Sequence, residues 1–379
     1  MSPPLGAVLV LDLSRVLAGP FCTMMLGDLG ARVIKVEHPE DGDVTRGWGP
    51  PYHAATGMSA YYLSVNRNKE SIALDLATAV GAESVRRLAL RADVLVENFP
   101  PGGLEKFGLS LAALRKANPR LVTASITGFG RSGPDASAPG FDLLAQAGAG
   151  LMAITGTPEG GPMKSGVAVS DLLAGCYAAI GILAALVARE RTGVGTHIET
   201  DLFSATLASL INVAQSALLT GEEALRHGNA HPQIVPYRTF AASDGDFVLG
   251  VGTDRQFERL AALVGRPEWS GSGPYASNDA RVKNRGALER ELADVFAREK
   301  RETWVARCRA AGIPAGPVRG PLEALRSETA KALRCVIESE GVRFVAPPIR
   351  VEGEEPRIAF PPGLGADGQR LRREFDLPE

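Results

Sequence analysis

Residues 7–37, AVLVLDLSRVLAGPFCTMMLGDLGARVIKVE, decide the predicted fold of this 379-residue chain. Two apolar runs, Ala7–Ser14 and Arg32–Glu37, have the length of β-strands. They flank the stretch GPFCTMMLGDLGA, in which Pro20 suits the first turn of a helix. A strand, a helix and a second strand in this order indicate a parallel βαβ unit.

The same alternation continues through the first half of the chain. We predict further strands and helices at Ser71–Leu76, Gly81–Arg91, Asp93–Phe99, Ser110–Ala117 and Leu121–Thr127. Continuous apolar strands separated by helices indicate a parallel sheet with both faces covered. The fold class is therefore predicted to be α/β.

The chain then becomes more helical. We predict a long apolar helix with Ser170 as its N-cap, ending near Arg191, and another from Leu202 to Thr220. A smaller unit begins near Tyr237, where two short strands are joined by Asp244-Gly245, a dipeptide that favours a tight hairpin. Three helices follow, and the proline-rich segment GIPAGPVRG interrupts them.

Composition excludes several classes of protein. The chain has 41 basic and 43 acidic residues, so its net charge of −2 gives no reason to expect nucleic acid or an anionic membrane as a partner. Its first residues resemble no secretory signal, and the apolar run Leu172–Ala188 is interpreted as a buried helix. The four cysteines form no CxxC pair, which indicates a reduced, cytoplasmic protein.

Common catalytic motifs do not account for this sequence. Two GxGxxG matches exist, but Pro134 follows Gly128–Gly133 where a helix is required, and Gly363–Gly368 lies too close to the C-terminus for a βαβ unit. None of the five histidines has metal-ligand spacing, so no metal site is expected. His227 and His231 fall in a predicted loop, which could be a plain connection or lie near a substrate.

Asp171 is the candidate that remains. An acid in the first turn of a helix often only complements the helix dipole, which is a purely structural role. The functional alternative is a carboxylate kept ionised by that dipole in an apolar pocket, where it can attack an acyl group. Glycine-rich stretches on either side would let backbone amides approach a developing oxyanion.

At these residues the chain resembles the class III CoA-transferase family, which also includes formyl-CoA transferase and α-methylacyl-CoA racemase. The resemblance covers nearly the whole length and depends on ordered motifs: VLAGPFCTMMLGDLGARVIKVEHPEDGDVTR, YYLSVNRNKESIALDL, ADVLVENFPPG, SITGFGRSGP and GVAVSDLLAGCYAAIGILAAL followed by RTGVGTHIETDL.

The resemblance implies a fold and an assembly. It implies a Rossmann-like large domain over residues 1–223, an inserted small α/β domain over residues 224–330, and a segment 331–379 that returns to the large domain. It also implies an interlocked homodimer. The substrates would be acyl-CoA thioesters and carboxylic acids, with no permanently bound cofactor.

The resemblance also implies a mechanism and a CoA site. Asp171 matches the family's catalytic aspartate, which forms an aspartyl anhydride and then an aspartyl-CoA thioester. Basic residues that contact CoA in formyl-CoA transferases are replaced here by His38, Ala77 and Pro139. The positions that match CoA contacts are Val16, Leu17, Leu74, Asn98, Phe99 and Lys106.

Within the family, the sequence is most similar to the branch that transfers CoA from succinyl-CoA to dicarboxylates such as glutarate. A dicarboxylate's distal charge needs a cation or several donors; our candidates are Arg46, Arg67 and His231, with Trp48 and Tyr237 as walls. The alternatives are a formyl- or oxalate-type transferase and an acyl-CoA racemase or epimerase. The racemase branch has a G-H-D triplet where this chain has Phe141 in GFD, and phenylalanine cannot move a proton.

Overall fold

The computed structural model describes residues 3–356 and 358–379, which form two compact units. The larger unit contains the residues up to Met152, residues 164–223 and residues 328–379, and the smaller unit contains residues 153–163 and 224–327. Residues 153–163 thus belong to the smaller unit, although the sequence prediction places them in the large domain. Hydrogen bonds hold this segment to the smaller unit, because the Arg226 side chain donates to the backbone carbonyls of Ala153, Thr157 and Gly160.

The helices and strands alternate as predicted in the first half of the chain. In chain order they are β1 Leu9–Asp12, α1 Ala18–Asp28, β2 Arg32–Glu37, α2 Ala60–Val65, β3 Lys69–Ala73, α3 Ala79–Arg91, β4 Val94–Glu97, α4 Leu111–Ala117, β5 Val122–Thr127, α5 Asp142–Gly148, α6 Leu151–Ile154, α7 Val169–Thr192, β6 His197–Asp201, α8 Leu202–Ser209, α9 Ile211–Thr220, β7 Tyr237–Ala242, β8 Gly245–Gly250, α10 Asp254–Leu263, α11 Asn278–Lys283, α12 Arg285–Phe296, α13 Arg301–Ala310, β9 Ala315–Pro317, α14 Pro321–Arg326, α15 Glu328–Ala332, β10 Val336–Ser339, β11 Val342–Val345 and α16 Gly368–Glu374.

A six-stranded sheet organises the larger unit, with the strand order β3-β2-β1-β4-β5-β6. Every neighbouring pair in it is parallel, which confirms the predicted α/β class. The strand order reverses between β1 and β4, and this is the order of a Rossmann-type sheet. In such sheets, ligands bind beyond the carboxyl ends of the strands at the reversal point.

Both faces of the sheet are buried, as continuous apolar strands require. On one face, Val10 and Val94 pack with residues of α1 and α7. On the other face, Leu11 and Leu95 pack with residues of α3 and α4. The C-terminal helix α16 joins this second core through Leu371, so the end of the chain completes the cover of the sheet.

Helix α7 follows the predicted course but is capped differently. Its N-cap is Ala168, which forms no side-chain cap hydrogen bond, and its last residue, Thr192, is followed by the C-cap Gly193, whose φ of 73° suits glycine. The prediction of Ser170 as N-cap is therefore wrong. By length and composition α7 could span a membrane, but its face containing Ala174 and Ala178 lies in the core of the larger unit.

The predicted helix over residues 202–220 is broken. It consists of α8 and α9, whose axes meet at 80°. Ile211 has a φ of 33°, and a positive φ is incompatible with a continuous right-handed helix. The bend leaves apolar side chains of α9 exposed: the exposed fraction is 80% for Leu218 and 79% for Leu219.

The smaller unit is built on an antiparallel sheet with the strand order β7-β8-β9. Strands β7 and β8 form the predicted hairpin, whose last pair joins Ala242 to Gly245. The segment that interrupts the helical pattern supplies β9, which pairs with β8. The core contains aromatic side chains that meet edge to face, including Phe247, Phe296 and Trp304.

Candidate active site

Asp171 lies in the first turn of α7, as predicted. Its Oδ1 accepts a hydrogen bond from the backbone N–H of Ala18, the first residue of α1, at 3.3 Å. The carboxylate thus lies between the N-termini of two helices, both of which carry partial positive charge. In the described part of the chain, no lysine or arginine forms an ion pair with it.

Gly175 lets α7 approach α1 closely enough for this contact. It lies four residues after Asp171, hence on the same face of α7. A Cβ atom at Gly175 would lie 2.6 Å from the carbonyl oxygen of Ala18 and 3.2 Å from Cδ1 of Phe21. The absence of a side chain at this position therefore sets the distance between the two helices.

The electrostatics of the site oppose ionisation of Asp171. Burial and, to a smaller extent, the nearby carboxylate of Asp142 raise the pKa of Asp171; the Ala18 N–H lowers it only in part, and the resulting pKa is about 7. The expectation that this carboxylate is kept ionised is therefore corrected, because burial and the Asp142 carboxylate outweigh the hydrogen bond from Ala18. In the free protein near pH 7, both protonation states are populated.

Asp142 is a residue of this site that the sequence analysis did not assign. Its Oδ1 accepts a hydrogen bond from the N–H of Ser170 at 2.9 Å, and its Oδ2 accepts one from Gln146 at 2.7 Å. Asp142 on α5 thus caps α7, in place of the predicted Ser170, whose hydroxyl accepts a hydrogen bond from Thr206. The GFD triplet pointed to this position, but its partner lies 28 residues further along the chain.

Tyr61 and Trp48 add two aromatic rings to the site. Their rings meet edge to face with centroids 5.2 Å apart. Burial and the carboxylates of Asp171 and Asp142 raise the pKa of Tyr61 to about 12, so its hydroxyl stays protonated at neutral pH. Trp48, which the sequence predicts as a substrate wall, has an exposed side chain. Tyr61 is not among the predicted site residues, although it lies in the motif YYLSVNRNKESIALDL.

Four of the predicted CoA contacts lie at the reversal point of the sheet. Val16 and Leu17 follow β1, and Asn98 and Phe99 follow β4. Asn98 connects the two loops, because its side-chain amide accepts a hydrogen bond from the N–H of Arg15 at 2.9 Å and donates one to the carbonyl of Arg15 at 2.7 Å.

The other two predicted CoA contacts differ in accessibility. Lys106 is exposed, and in the described ranges it has no hydrogen-bond or ion-pair partner, so its ammonium group can meet a ligand. Leu74 is only 3% exposed and belongs to the core between the sheet and α3. The Leu74 side chain is therefore not available to a ligand.

The two arginines predicted to bind a distal carboxylate are engaged within the larger unit. Arg46 pairs with the buried Glu37 at 2.7 Å and stacks on Tyr62. Arg67 forms a bidentate ion pair with Asp28, in which Nε donates to Oδ1 at 2.8 Å and Nη2 donates to Oδ2 at 2.6 Å. A substrate carboxylate would have to displace a protein carboxylate in either case, which disfavours this role for both.

The remaining predicted substrate residues belong to the smaller unit. The rings of His231 and Tyr237 meet at 5.4 Å, and the N–H of His231 donates a hydrogen bond to the carbonyl of Tyr237 at 2.9 Å. Next to them, within the same unit, a cavity of about 690 Å³ is lined by polar side chains that include His227, Arg238 and Arg285. Burial, and then the charge of Arg285, lower the pKa of His227, so it is a neutral donor or acceptor at neutral pH.

Within residues 3–356 and 358–379, no three His, Cys, Asp or Glu side chains are grouped as a metal ion would require. The site is instead the Asp171 carboxylate with the N–H of Ala18, the nearby acid Asp142 and aromatic rings. Such a site can act as a nucleophile toward a reactive acyl group.

The sequence model of CoA-transferase family III matches residues 5–368. The chain therefore belongs to this family and is a CoA-transferase, which confirms the resemblance.

The chain is 41% identical over 372 residues to the succinate–glutarate CoA-transferase of Agrobacterium fabrum, over 94% of this chain and 93% of that protein. It is 45% identical over 315 residues to the succinyl-CoA:glutarate CoA-transferase of Mus musculus, over 83% and 72% of the two chains. The crystal structure of a CaiB/BaiF family protein from Brucella suis, 42% identical, superposes with a TM-score of 0.90 over 99% of this chain and 100% of that one.

Proposed function

We propose that this chain transfers CoA from succinyl-CoA to a dicarboxylate, with glutarate the first candidate, and that Asp171 carries the reaction. The observation that supports the role of Asp171 most strongly is its setting. It is a half-buried carboxylate at a helix N-terminus with a pKa of about 7 and no cationic partner among the described residues. A carboxylate that only stabilised the helix would not need such a setting, since ordinary dipole partners sit in water.

The proposed chemistry exchanges one acyl bond for another. The Asp171 carboxylate attacks the thioester carbonyl of succinyl-CoA; a C–O bond forms, the C–S bond breaks, and CoA leaves as a thiolate. The thiolate then attacks the aspartyl carbonyl of the mixed anhydride and releases succinate. The acceptor carboxylate reverses both steps, through its own anhydride with Asp171, and leaves as its CoA thioester. No net proton moves, so no histidine base is required.

Backbone amides supply the electrostatic help that these steps need. Each attack creates a negatively charged oxygen, which N–H donors fixed beforehand can stabilise. At the N-terminus of α1, the backbone N–H of Ala18 donates a hydrogen bond to the Asp171 carboxylate. The next residue in the chain is Gly19, whose N–H also belongs to the first turn of α1. The CoA moiety is proposed to lie at the reversal point of the sheet, along Val16, Leu17, Leu74, Asn98 and Phe99, with a phosphate on Lys106.

The names of the relatives support the choice of substrates, since both name succinate or succinyl-CoA together with glutarate. For the acceptor's distal carboxylate we keep His231 as the proposed group, since it forms no ion pair with another described residue, and we keep Trp48 and Tyr237 as proposed walls. Arg46 and Arg67 remain predictions that their internal ion pairs disfavour. CoA thioesters are substrates, and no permanently bound cofactor is proposed.

A homodimer is proposed as well, interlocked as the family resemblance implies. Apolar side chains on α7, α8 and α9 support it: the exposed fraction is 65% for Val187, 72% for Ile211 and 80% for Leu218. Patches of this kind commonly mark protein interfaces. Light scattering on the purified protein should give twice the chain mass of 39.9 kDa. The four cysteines are unpaired, which supports a cytoplasmic location.

A racemase or epimerase is the alternative from another reaction class. It would need a second group to move a proton at Phe141, which is 62% exposed and has no proton to give. Exchange of the α-hydrogen of an acyl-CoA in heavy water would support the racemase, and its absence would exclude it.

The decisive test incubates the protein with succinyl-CoA and a panel of acids, including glutarate, malate, itaconate, citramalate and oxalate. Mass spectrometry then follows new acyl-CoA species. We expect a dicarboxyl-CoA with the unchanged protein and a loss of about 10³-fold or more with Asp171→Ala. Glu190→Gln, an exposed acid near the other end of α7, is the matched control and should transfer normally. Transfer to oxalate alone would indicate an oxalate-type enzyme, and full activity in Asp171→Ala would refute the mechanism.

A further inference from the structure

The loop between β1 and α1 holds a strained residue next to the Asp171 site. Val16 has a φ of 70°, a left-handed conformation that is rare for a β-branched side chain. Such strain persists only where surrounding contacts over-determine the backbone. Two residues later, the N–H of Ala18 meets the Asp171 carboxylate.

A fully buried ion pair fixes this conformation. Lys35 and Asp43 pair at 2.9 Å, and neither side chain is exposed. Both Oδ atoms of Asp43 accept the N–H of Val16, at 3.3 and 3.2 Å. Lys35 donates to the carbonyl of Ser14 at 2.9 Å. The pair therefore holds the loop at the strained residue itself and two residues before it.

The ion pair itself is held rigidly. Lys35 lies on β2, next to β1 in the sheet. Asp43 also accepts the N–H and hydroxyl of Thr45, at 3.0 and 2.8 Å. Burial of two charges gives little net stability, because desolvation offsets their attraction, so the arrangement is better explained by the geometry that it imposes.

We propose that Lys35 and Asp43 are positioning residues for CoA transfer: they hold Val16 at positive φ and thereby aim the N–H of Ala18 at Asp171. Neither side chain contacts the reacting atoms. The proposal depends on the proposed role of Asp171 for its kinetic consequence, but the conformational claim stands apart from the reaction.

The test compares Asp43→Asn with Asp93→Asn by crystallography and kinetics. Asp93 forms an ion pair with the buried Arg189 at 3.0 Å, and it accepts a hydrogen bond from the N–H of Leu9, the first residue of β1. It lies at the amino ends of the strands, away from Val16, so Asp93→Asn controls for the loss of an ion pair elsewhere in the sheet. In Asp43→Asn we expect Val16 at negative φ, Ala18 N beyond hydrogen-bond reach of Asp171, and a kcat lower by about 10²-fold. The Asp93→Asn control should keep kcat.

Two further variants keep the proposal testable. The double variant Lys35→Met/Asp43→Asn removes both charges of the pair, so neither partner is left buried and unpaired. It replaces the single variant in the test if Asp43→Asn does not fold. Val16→Gly added to Asp43→Asn should restore part of kcat, because glycine adopts this φ without strain. Val16 at positive φ in the Asp43→Asn crystal, or equal kcat losses in Asp43→Asn and Asp93→Asn, would overturn the proposal. If the unchanged protein transfers no CoA at all, the proposed function fails, while the crystal structures still decide the conformational claim.

Discussion

Asp171 and Asp12 are two acids of the larger unit whose pKa values are shifted in opposite directions. Asp12 is fully buried and Asp171 is half-buried, and burial raises the pKa of each. At Asp12, Lys69 at 3.0 Å, a second lysine and two hydroxyls outweigh burial and lower the pKa to about 2. At Asp171 a second acid and a single N–H leave the pKa raised to about 7.

The contrast separates a structural acid from one poised for chemistry. A compensated carboxylate such as Asp12 is permanently charged and holds its neighbours in place. An uncompensated one costs the folded state free energy, and such costs concentrate at functional sites. Four substitutions test whether the two acids differ in this way.

The largest effect on stability is expected at Asp12. Asp12→Asn leaves the buried Lys69 without its counter-charge, and breaking a buried pair in this way costs about 3–5 kcal/mol. Urea denaturation at pH 7 measures it. Glu83→Gln, which removes only exposed ion pairs, should change stability by less than about 1 kcal/mol. Equal losses in both variants would contradict the distinction.

Asp171→Asn should shift stability in the opposite direction. The folded-state pKa lies above the unfolded one, so the folded protein must bury a charge as the pH rises through about 7. Asparagine avoids this, and we expect the variant to be more stable at pH 8 by roughly 2–4 kcal/mol. Denaturation at pH 8 and pH 5 measures it, and the gain should shrink at pH 5. A variant less stable than the unchanged protein at pH 8 would show that Asp171 is a structural acid after all.

Gly175→Ala tests the approach of α7 to α1. The added methyl group meets the Ala18 carbonyl oxygen, and overpacking of this kind costs about 1–3 kcal/mol. Because it also moves Asp171 relative to Ala18, we expect a kcat about 10-fold lower. Gly286→Ala, in α12 where only a flexible arginine is near, is the control. Unchanged kcat in Gly175→Ala would mean that the helix separation does not set the site.

Asp142→Asn should produce the smallest effect. It keeps an oxygen for the Ser170 N–H but removes the charge that raises the pKa of Asp171. The acid limb of the pH profile of kcat/KM should therefore move to lower pH. Asp142→Ala also loses the cap and should lower kcat in addition. An unmoved acid limb in Asp142→Asn would mean that Asp142 does not influence Asp171.

Much of the fold was predictable because its signals are local. Strand β2 was predicted with the bounds that the structure has, and the hairpin of β7 and β8 followed from Asp244-Gly245. The errors came from contacts that no local pattern records. Ser170 has the chemistry of an N-cap, but Asp142 occupies that role.

The candidate site was predictable only in part. The proposed nucleophile, Asp171 in the first turn of a long helix, was identified from the sequence and the family motifs. The predicted substrate arginines were chosen for their charge, but Arg46 and Arg67 are paired with Glu37 and Asp28. Tyr61 and Asp142 were not assigned, since nothing in their neighbours along the chain places them beside Asp171.

The sequence by itself determined the α/β class, the family and the position of Asp171 on its helix, because periodicity and ordered motifs are properties of neighbouring residues. Only the tertiary structure decided the protonation of that carboxylate, the cap of its helix and the strained turn at Val16. These depend on pairs such as Ala18 with Asp171, 153 residues apart, and Val16 with Asp43, 27 apart. Burial and charge act through space, so they exist only once the chain has folded.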